Sequence, residues 1–222
     1  MTAGLPRIGL LGGTLDPIHV GHLDAAEAAR RALALDSIVV IPSHDPPHRP
    51  VDPHASAYHR FAMVALAIDG RPGYLASDME LRREGPSFTA LTLKDWHAAG
   101  WRPAQLFFII GADAFAEIAT WYDYPAILEA CQFAVVSRPG TTVHAALDRT
   151  PELGPRVGVS IHVVEAPTAA VSSTDVRALL AAGKGIEGLV PSAVASHIAA
   201  HQLYSDRIAT RVPSPVDMHG QD

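Results

Sequence analysis

Two histidines and two glycines lie close together near the start of the chain, in residues 12–22 (GGTLDPIHVGH). The apolar run 8–11 before them is typical of a buried strand, and the Ala-rich run 22–35 is typical of a helix. Exposed N–H groups and the helix dipole attract anions at such a strand-to-helix turn. His19 and His22 share a face once the helix begins, and imidazoles can donate hydrogen bonds to phosphate oxygens. The segment therefore predicts a site that handles phosphate groups.

Simpler interpretations of the same residues stay open. Gly12 and Gly13 let the backbone turn tightly and approach a ligand, but they match neither the dinucleotide pattern nor the P-loop pattern. They could form an ordinary strand-to-helix turn. The two histidines could bind a metal, although Asp16 is the one further ligand candidate nearby and a third clear ligand is missing. They could also be ordinary residues at a helix start.

Composition limits the class of protein. The chain has 222 residues, 48% of them hydrophobic, which is enough for one domain with a sizeable core. A net charge of -6 disfavours a nucleic-acid-binding protein. The single cysteine, Cys131, excludes an internal disulfide framework and fits a reducing compartment. We expect no secretory signal, no transmembrane helix and a cytoplasmic location.

Strand-like and helix-like runs alternate along the chain. The strands are predicted at 8–11, 37–42, 74–76, 105–111, 132–137 and 157–164, and the helices at 22–35, 55–68, 87–99, 112–118, 125–130, 173–182 and 191–201. This alternation predicts an α/β fold, a Rossmann-like doubly wound, mostly parallel sheet with helices on both faces. We expect a single domain over residues 6–204, with a C-terminal helical part from about 172, and a flexible tail at 205–222.

A second motif sits near the other end of the chain. Residues 171–177 read VSSTDVR, and Ser172 to Thr174 would also suit a plain helix start. Together, the patterns G-G-T-[FL]-D-P-x-H-x-G-H and [IV]-S-S-T-x-x-R resemble the HxGH nucleotidyltransferase superfamily. Further stretches are similar to the bacterial nicotinate-nucleotide adenylyltransferases: PPHR at 46–49, GPSFT at 85–89, FIIGAD at 108–113, TWYDY at 120–124, SRPG at 137–140 and LY at 203–204.

The resemblance implies a reaction. That family transfers the adenylyl group of ATP to nicotinate mononucleotide (NaMN), giving deamido-NAD and pyrophosphate in NAD biosynthesis. The attacking 5′-phosphate is already an anion, so neither a general base nor a covalent nucleophile is needed, and catalysis reduces to alignment and charge stabilisation. Mg²⁺ would bridge the ATP phosphates. The implied partners are small molecules, ATP and NaMN, with a homo-oligomer possible.

The resemblance also assigns residues. His19, His22 and Arg177 would be catalytic, through charge stabilisation at the phosphates. The full set implied for ATP is Gly12, Gly13, Thr14, His19, Gly21, His22, Gly111, Asp113, Ser173, Thr174 and Arg177.

The acceptor, NaMN, would meet a second set of residues. Trp121 is the implied stacking surface for the pyridine ring, although it could also be a core aromatic. Backbone N–H groups around residues 87–89 and 121–122 would receive the nicotinate carboxylate. His48 and Arg49 would contact the NaMN phosphate. Arg138 would also contact NaMN, although it could instead cap a strand end. The implied set is Ser43, His48, Arg49, Ser87, Phe88, Thr89, Trp121, Tyr122 and Arg138.

Other functions stay open on the sequence. A sister adenylyltransferase would act on the amide analogue NMN or on phosphopantetheine. A non-catalytic nucleotide-binding module would be expected to lose His19, His22 or Arg177, and all three are present. A scaffold protein would leave the paired motifs unexplained. The loose cluster of His44, His48, His54 and His59 could bind zinc, but its irregular spacing favours solvated loop histidines.

Overall fold

A six-stranded parallel sheet forms the centre of the protein. A computed structural model describes residues 5–47, 52–137, 147 and 149–205. The strands are β1 (Ile8–Gly13), β2 (Ser37–Pro42), β3 (Tyr74–Ala76), β4 (Leu106–Gly111), β5 (Gln132–Ser137) and β6 (Ile161–Glu165). They lie in the order β3-β2-β1-β4-β5-β6, and each neighbouring pair is parallel. This is the doubly wound α/β order, so the predicted fold class is confirmed.

Helices cover both faces of the sheet. Within the described residues they are α1 (Val20–Ala32), α2 (Ala57–Ile68), α3 (Thr89–Ala98), α4 (Ala112–Phe115), α5 (Tyr124–Ala130), α6 (Ser173–Ala181) and α7 (Ser192–Ala200). Short 3₁₀ turns occupy Pro103–Gln105, Ile118–Thr120 and Pro151–Arg156. None of the described helices combines the length and the apolar character that crossing a membrane requires.

Alternating side chains of the strands build two cores. In β2, Ile38 and Val40 belong to the core that also contains residues of α1, α2, α6 and α7. Val39 and Ile41 point to the opposite core, which contains Leu93 of α3 and residues of α5. Because both faces of a parallel sheet are covered, its strands read as continuous apolar runs, which is why the β2 prediction has the observed bounds.

Several predicted boundaries were wrong. The strand predicted at 157–164 begins only at Ile161, because Gly158 has a left-handed φ of 79° and its N–H donates to the Ile161 carbonyl. The helix predicted at 112–118 ends at Phe115 and is followed by a separate 3₁₀ turn. Helix α1 covers Val20–Ala32 instead of 22–35, and the left-handed Ala34 follows it. The tail from residue 206 onward lies outside the described residues.

Candidate active site

Two adjoining cavities open at the carboxyl ends of β1 and β4. The larger, of about 550 Å³, lies against the β1–α1 turn, the end of β4 and the start of α6. The smaller, of about 250 Å³, lies between the β1–α1 turn, the loop after β2 and the start of α3. The residues that line both are Gly12, Gly13, Thr14, Phe108 and Trp121. The strand order reverses between β1 and β4, and ligands of open parallel sheets bind at this position.

The large cavity collects most of the residues implied for ATP. Those lining it are Gly12, Gly13, Thr14, His19, Gly21, His22, Gly111, Asp113 and Ser173. Thr174 and Arg177 are the two members of the set that do not line it. The two sequence motifs, far apart in the chain, are therefore neighbours in space.

The two histidines stack at the N-terminus of α1. Their ring centroids are 3.7 Å apart, with 29° between the planes. The backbone N–H of His19 donates to Nδ1 of His22 over 3.2 Å, so an uncharged His22 carries its proton on Nε2. A Cβ on Gly21 would lie 3.1 Å from Nδ1 of His19 and 3.2 Å from the Ala169 carbonyl oxygen. Glycine at this position therefore lets the helix start approach its neighbours closely.

Helix α6 is fastened to the β1–α1 turn. Ser172 caps the helix by accepting a hydrogen bond from the N–H of Asp175, and the Ser172 hydroxyl and N–H both donate to the Asp175 carboxylate, which lowers its pKa. Ser173 Oγ donates to the Pro17 carbonyl over 2.9 Å. Arg177 donates to the Asp16 carbonyl over 2.7 Å and to Thr174 Oγ1 over 3.2 Å. Arg177, which does not line the large cavity, therefore holds the β1–α1 turn through the Asp16 carbonyl.

A buried carboxylate organises the same turn, and the sequence analysis did not find this role. Asp16 is 1% exposed. Its carboxylate accepts hydrogen bonds from the N–H groups of His54 (2.8 Å) and Ala55 (3.1 Å) and from the hydroxyl of Tyr204 (2.7 Å). Burial, followed by the charge of Asp16, raises the pKa of Tyr204. The turn is thus bonded to the loop before α2 and to the C-terminal segment.

A buried arginine is the second residue that the sequence analysis missed. Arg60 of α2 is 1% exposed. Its guanidinium donates to the carbonyl groups of Thr14 (2.8 Å), Ser43 (2.5 Å), His44 (3.2 Å) and Ala55 (3.2 Å). It therefore fixes the loops after β1 and β2 relative to each other. Its position four residues before Val64, on the apolar face of the predicted helix, was the available signal.

The small cavity collects the described residues implied for NaMN. They are Ser43, Ser87, Phe88, Thr89, Trp121 and Tyr122. The rings of Phe88 and Tyr122 stack with centroids 4.4 Å apart, and Trp121 meets Phe108 edge-on at 5.9 Å. Trp121 lies at the boundary of the two cavities, where a site aromatic was predicted. The predicted residues His48, Arg49 and Arg138 lie outside the described residues.

The N–H groups expected to receive a carboxylate are fewer than predicted. The N–H of Ser87 already donates to the Asp45 carbonyl oxygen in the loop after β2, and those of Phe88 and Trp121 donate to the carbonyl oxygens of Pro86 and Ile118. Within the described part of the chain, the N–H groups of Thr89 and Tyr122 have no such bond, and Thr89 is the first residue of α3, where helix geometry supplies no acceptor. Ser43 Oγ is also buried with no hydrogen-bond partner among the described residues.

A buried glutamate forms part of the small cavity. Burial raises the pKa of Glu80, and hydrogen bonds with Thr92 and Ser87 oppose that shift. The Thr92 hydroxyl donates to Glu80 over 2.5 Å. Because its folded-state pKa is raised, the contribution of Glu80 to stability is complete below its unfolded pKa and is lost as pH rises through the folded pKa.

We predict that Glu80→Gln removes part of the loss of stability at rising pH. The amide keeps the acceptor for Thr92 and has no charge to bury. The free energy of unfolding of the variant, relative to that of the unchanged protein, should therefore increase from pH 5 to pH 8. Urea unfolding without ligand measures it. Glu84→Gln, at an exposed position four residues on, is the matched control and should leave the pH slope unchanged. Parallel stability curves for Glu80→Gln and the unchanged protein would refute the prediction.

Two further groups have defined surroundings. Cys131 is 1% exposed, and burial raises the pKa of its thiol to about 12, which is unlike an activated nucleophile. Of the loose group His44, His48, His54 and His59, for which solvated loop histidines were favoured, His48 lies outside the described residues, and the other three do not form a metal-ligand group with one another. His54 lies against Asp16, 3.6 Å from its carboxylate, whereas His59 lies beside two histidines of the C-terminal segment.

Comparison with known proteins decides the family. The cytidylyltransferase-like family model matches residues 10–179. A probable nicotinate-nucleotide adenylyltransferase of Symbiobacterium thermophilum is 42% identical over 90% of this chain and 96% of its own. The chain belongs to the nicotinate-nucleotide adenylyltransferase family. A probable member of that family from Moorella thermoacetica is 40% identical over 91% of this chain and 93% of its own.

Solved structures agree on the fold of this adenylyltransferase family member. The nicotinic acid mononucleotide adenylyltransferase of Plasmodium falciparum, complexed with NaAD, superposes with a TM-score of 0.69 at 16% identity, covering 90% of this chain and 98% of its own. A putative Vibrio parahaemolyticus nicotinate-nucleotide adenylyltransferase superposes with a TM-score of 0.59 at 20% identity, covering 90% and 96%. The predicted cytoplasmic location, homo-oligomer and domain limits stay predictions.

Proposed function

We infer that this protein transfers the adenylyl group of ATP to NaMN, releasing pyrophosphate and forming deamido-NAD for NAD biosynthesis. The observation that carries this is the pair of adjoining cavities with the shared wall of Gly12, Gly13 and Thr14. An oxygen of the NaMN 5′-phosphate attacks the α-phosphorus of ATP. The bond from that phosphorus to the β-bridging oxygen breaks, and its electrons leave with pyrophosphate. Two sites that meet at one wall suit two substrates whose phosphates must react.

ATP would occupy the large cavity. His19 and His22 lie at the start of α1, where the helix dipole adds partial positive charge, and Nε2–H of His22 can donate to a phosphate oxygen. Both stabilise charge as it builds on the α-phosphate and the leaving pyrophosphate. Ser173 would meet the triphosphate from the start of α6, with Thr174 beside it. Arg177 adds a permanent positive charge while it holds the Asp16 carbonyl.

The divalent ion would accompany ATP as Mg²⁺. Asp113 is the one carboxylate among the described residues that line the large cavity. Mg²⁺ prefers six oxygen ligands and keeps several waters, so the phosphates and water would hold it in place. Asp113 would be available to accept a hydrogen bond from a ribose hydroxyl.

NaMN would occupy the small cavity. Its pyridine ring would stack on Trp121, whose large π face suits an aromatic ring. The N–H groups of Thr89 and Tyr122 would donate to the nicotinate carboxylate, and Ser43 Oγ would add a further hydrogen bond. Backbone N–H groups favour an acceptor-only carboxylate over a carboxamide, whose NH₂ is a donor. This preference for the acid is the reason to choose NaMN over NMN.

A substrate panel tests the proposed function. With Mg²⁺ and ATP, we predict that NaMN yields pyrophosphate and deamido-NAD, and that NMN and phosphopantetheine give at least ~100-fold lower kcat/KM because neither presents two carboxylate oxygens to the two N–H donors. Pyrophosphate release and product chromatography measure it. Equal or faster turnover of NMN would overturn the substrate assignment. No turnover of any acceptor, with ATP still bound, would indicate a binding module instead.

A further inference from the structure

Three histidines meet where α2 packs against the C-terminal segment. His59 lies in the first turn of α2, His197 lies in the last turn of α7, and His201 follows directly after α7. The N–H of His201 donates to the His197 carbonyl over 3.1 Å, so the helical spacing continues and places both imidazoles on one side. None of the three lines either cavity of the candidate active site.

The ring nitrogens of these histidines are close enough to share one ion. One ligand atom from each of the three lies within 4.8 Å of the others. Nδ1 of His59 and Nε2 of His197 are 3.1 Å apart. Two imidazole nitrogens that bind one tetrahedral Zn²⁺ at about 2.0–2.1 Å must be about 3.3–3.4 Å apart, so this pair needs to move only slightly. The His201 side chain is exposed and can rotate to complete the set.

The chemistry of the group selects the class of ion. All three ligands are imidazole nitrogens, which suit Zn²⁺, Ni²⁺, Co²⁺ and Cu²⁺ and not the oxygen-preferring Mg²⁺ or Ca²⁺. Three protein ligands leave a fourth position for water. Among the described residues this is the group of metal-ligand side chains with the required proximity.

We propose that His59, His197 and His201 form a binding site for a divalent transition-metal ion that fastens α2 to α7. The site is separate from the Mg²⁺ that accompanies ATP and does not depend on the proposed function. Its place in the fold gives it a structural effect. The neighbour of His59 is Arg60, which holds the loops after β1 and β2, and Tyr204, three residues after His201, holds Asp16. Metal binding would therefore brace the two segments that support the β1–α1 turn.

The experiment uses the full chain without an affinity tag, in a buffer free of Mg²⁺ and ATP. Co²⁺ is the first probe, because its visible absorption reports low-coordinate nitrogen ligation, and Zn²⁺ competition gives the affinity. We expect one ion per chain. Zn²⁺ at about 100 times its Kd should raise the Tm by about 5–10 °C, and millimolar Mg²⁺ should displace neither ion.

Variants and a spectroscopic measurement decide the ligands. His201→Ala removes an exposed side chain and should weaken Zn²⁺ binding at least tenfold, as should His197→Ala. His162→Ala, in β6, is the matched control and should leave the affinity unchanged. X-ray absorption of the zinc-loaded, unchanged protein should show three imidazole ligands, a result that does not depend on any variant folding. Zn²⁺ binding that His201→Ala weakens less than tenfold, or an ion with fewer than three imidazole ligands, would overturn the proposal.

Discussion

Replacing His22 with alanine is expected to lower kcat by about 10²–10³-fold, with a much smaller change in the KM for ATP. In the proposed mechanism the imidazole would donate to phosphate oxygens most strongly when charge builds in the transition state. Its ring stacks on His19 and its Nδ1 accepts the His19 N–H, so the Nε2–H has a fixed direction. Steady-state kinetics with ATP and NaMN measure the effect.

Two controls separate this role from a structural one. His22 also caps α1 through the His19 N–H, and losing a cap costs about 0.5–2 kcal/mol of unfolding free energy. Thermal melting must therefore show that His22→Ala is folded at the assay temperature. His22→Asn supplies a polar side chain in place of the imidazole and should remain slow. His162→Ala, outside both cavities, should retain kcat. A folded His22→Ala variant with kcat close to normal would remove the charge-stabilising role.

Replacing Asp16 with alanine is expected to cost about 3–5 kcal/mol of unfolding free energy, a fall in Tm of about 10 °C. The change leaves two backbone N–H groups and the Tyr204 hydroxyl without their acceptor in a buried region. Activity should fall as well, because the β1–α1 turn, the loop before α2 and the C-terminal segment lose their common bond. Urea unfolding and substrate titration measure the two effects.

Tyr204→Phe tests the contribution of one of these hydrogen bonds if Asp16→Ala is too unstable to purify. It removes one of the three donors and should cost about 1 kcal/mol. Where Asp16→Ala can be purified, the double variant completes the cycle, and the Tyr204 change should cost almost nothing in it because its partner is already gone. Additive losses would show that the 2.7 Å contact between Tyr204 and Asp16 contributes no coupling, contrary to the arrangement described above.

The hydrogen bonds of Asp16 and the proposed histidine site both join the C-terminal segment to earlier parts of the chain. The C-terminal segment contacts the β1–α1 turn through the hydrogen bond from Tyr204 to Asp16, and α7 contacts α2 where His197 meets His59. Ser173 and Arg177 of α6 fasten the same turn from another direction. Residues far along the chain therefore support the turn that carries His19 and His22, and substitution of Tyr204, which lines neither cavity, should change activity without removing a substrate contact.

Much of the fold and site could be predicted from sequence because the signals were local. Continuous apolar runs mark strands that are covered on both faces, and β2 and β5 have the predicted bounds. The glycine and histidine turn at residues 12–22 and the capped start of α6 are also local patterns, and Gly12, His19, His22 and Ser173 are among their residues that line the large cavity. Errors came where one glycine redirected the chain, as Gly158 does before β6.

The sequence by itself determined the reaction class, because the two motifs contain the residue types of the nucleotidyltransferase patterns in the same order. Only the tertiary structure decided which groups meet. Asp16 and Tyr204 are 188 residues apart in the chain, and His59 and His197 are 138 apart, so no periodicity could pair them. The tertiary structure also decided that Thr89 and Tyr122 supply the backbone N–H donors of the small cavity, because the N–H groups of Ser87, Phe88 and Trp121 already donate to carbonyl oxygens. Hydrogen-bond partners depend on the path of the whole chain, whereas strands, helices and turns depend on neighbouring residues.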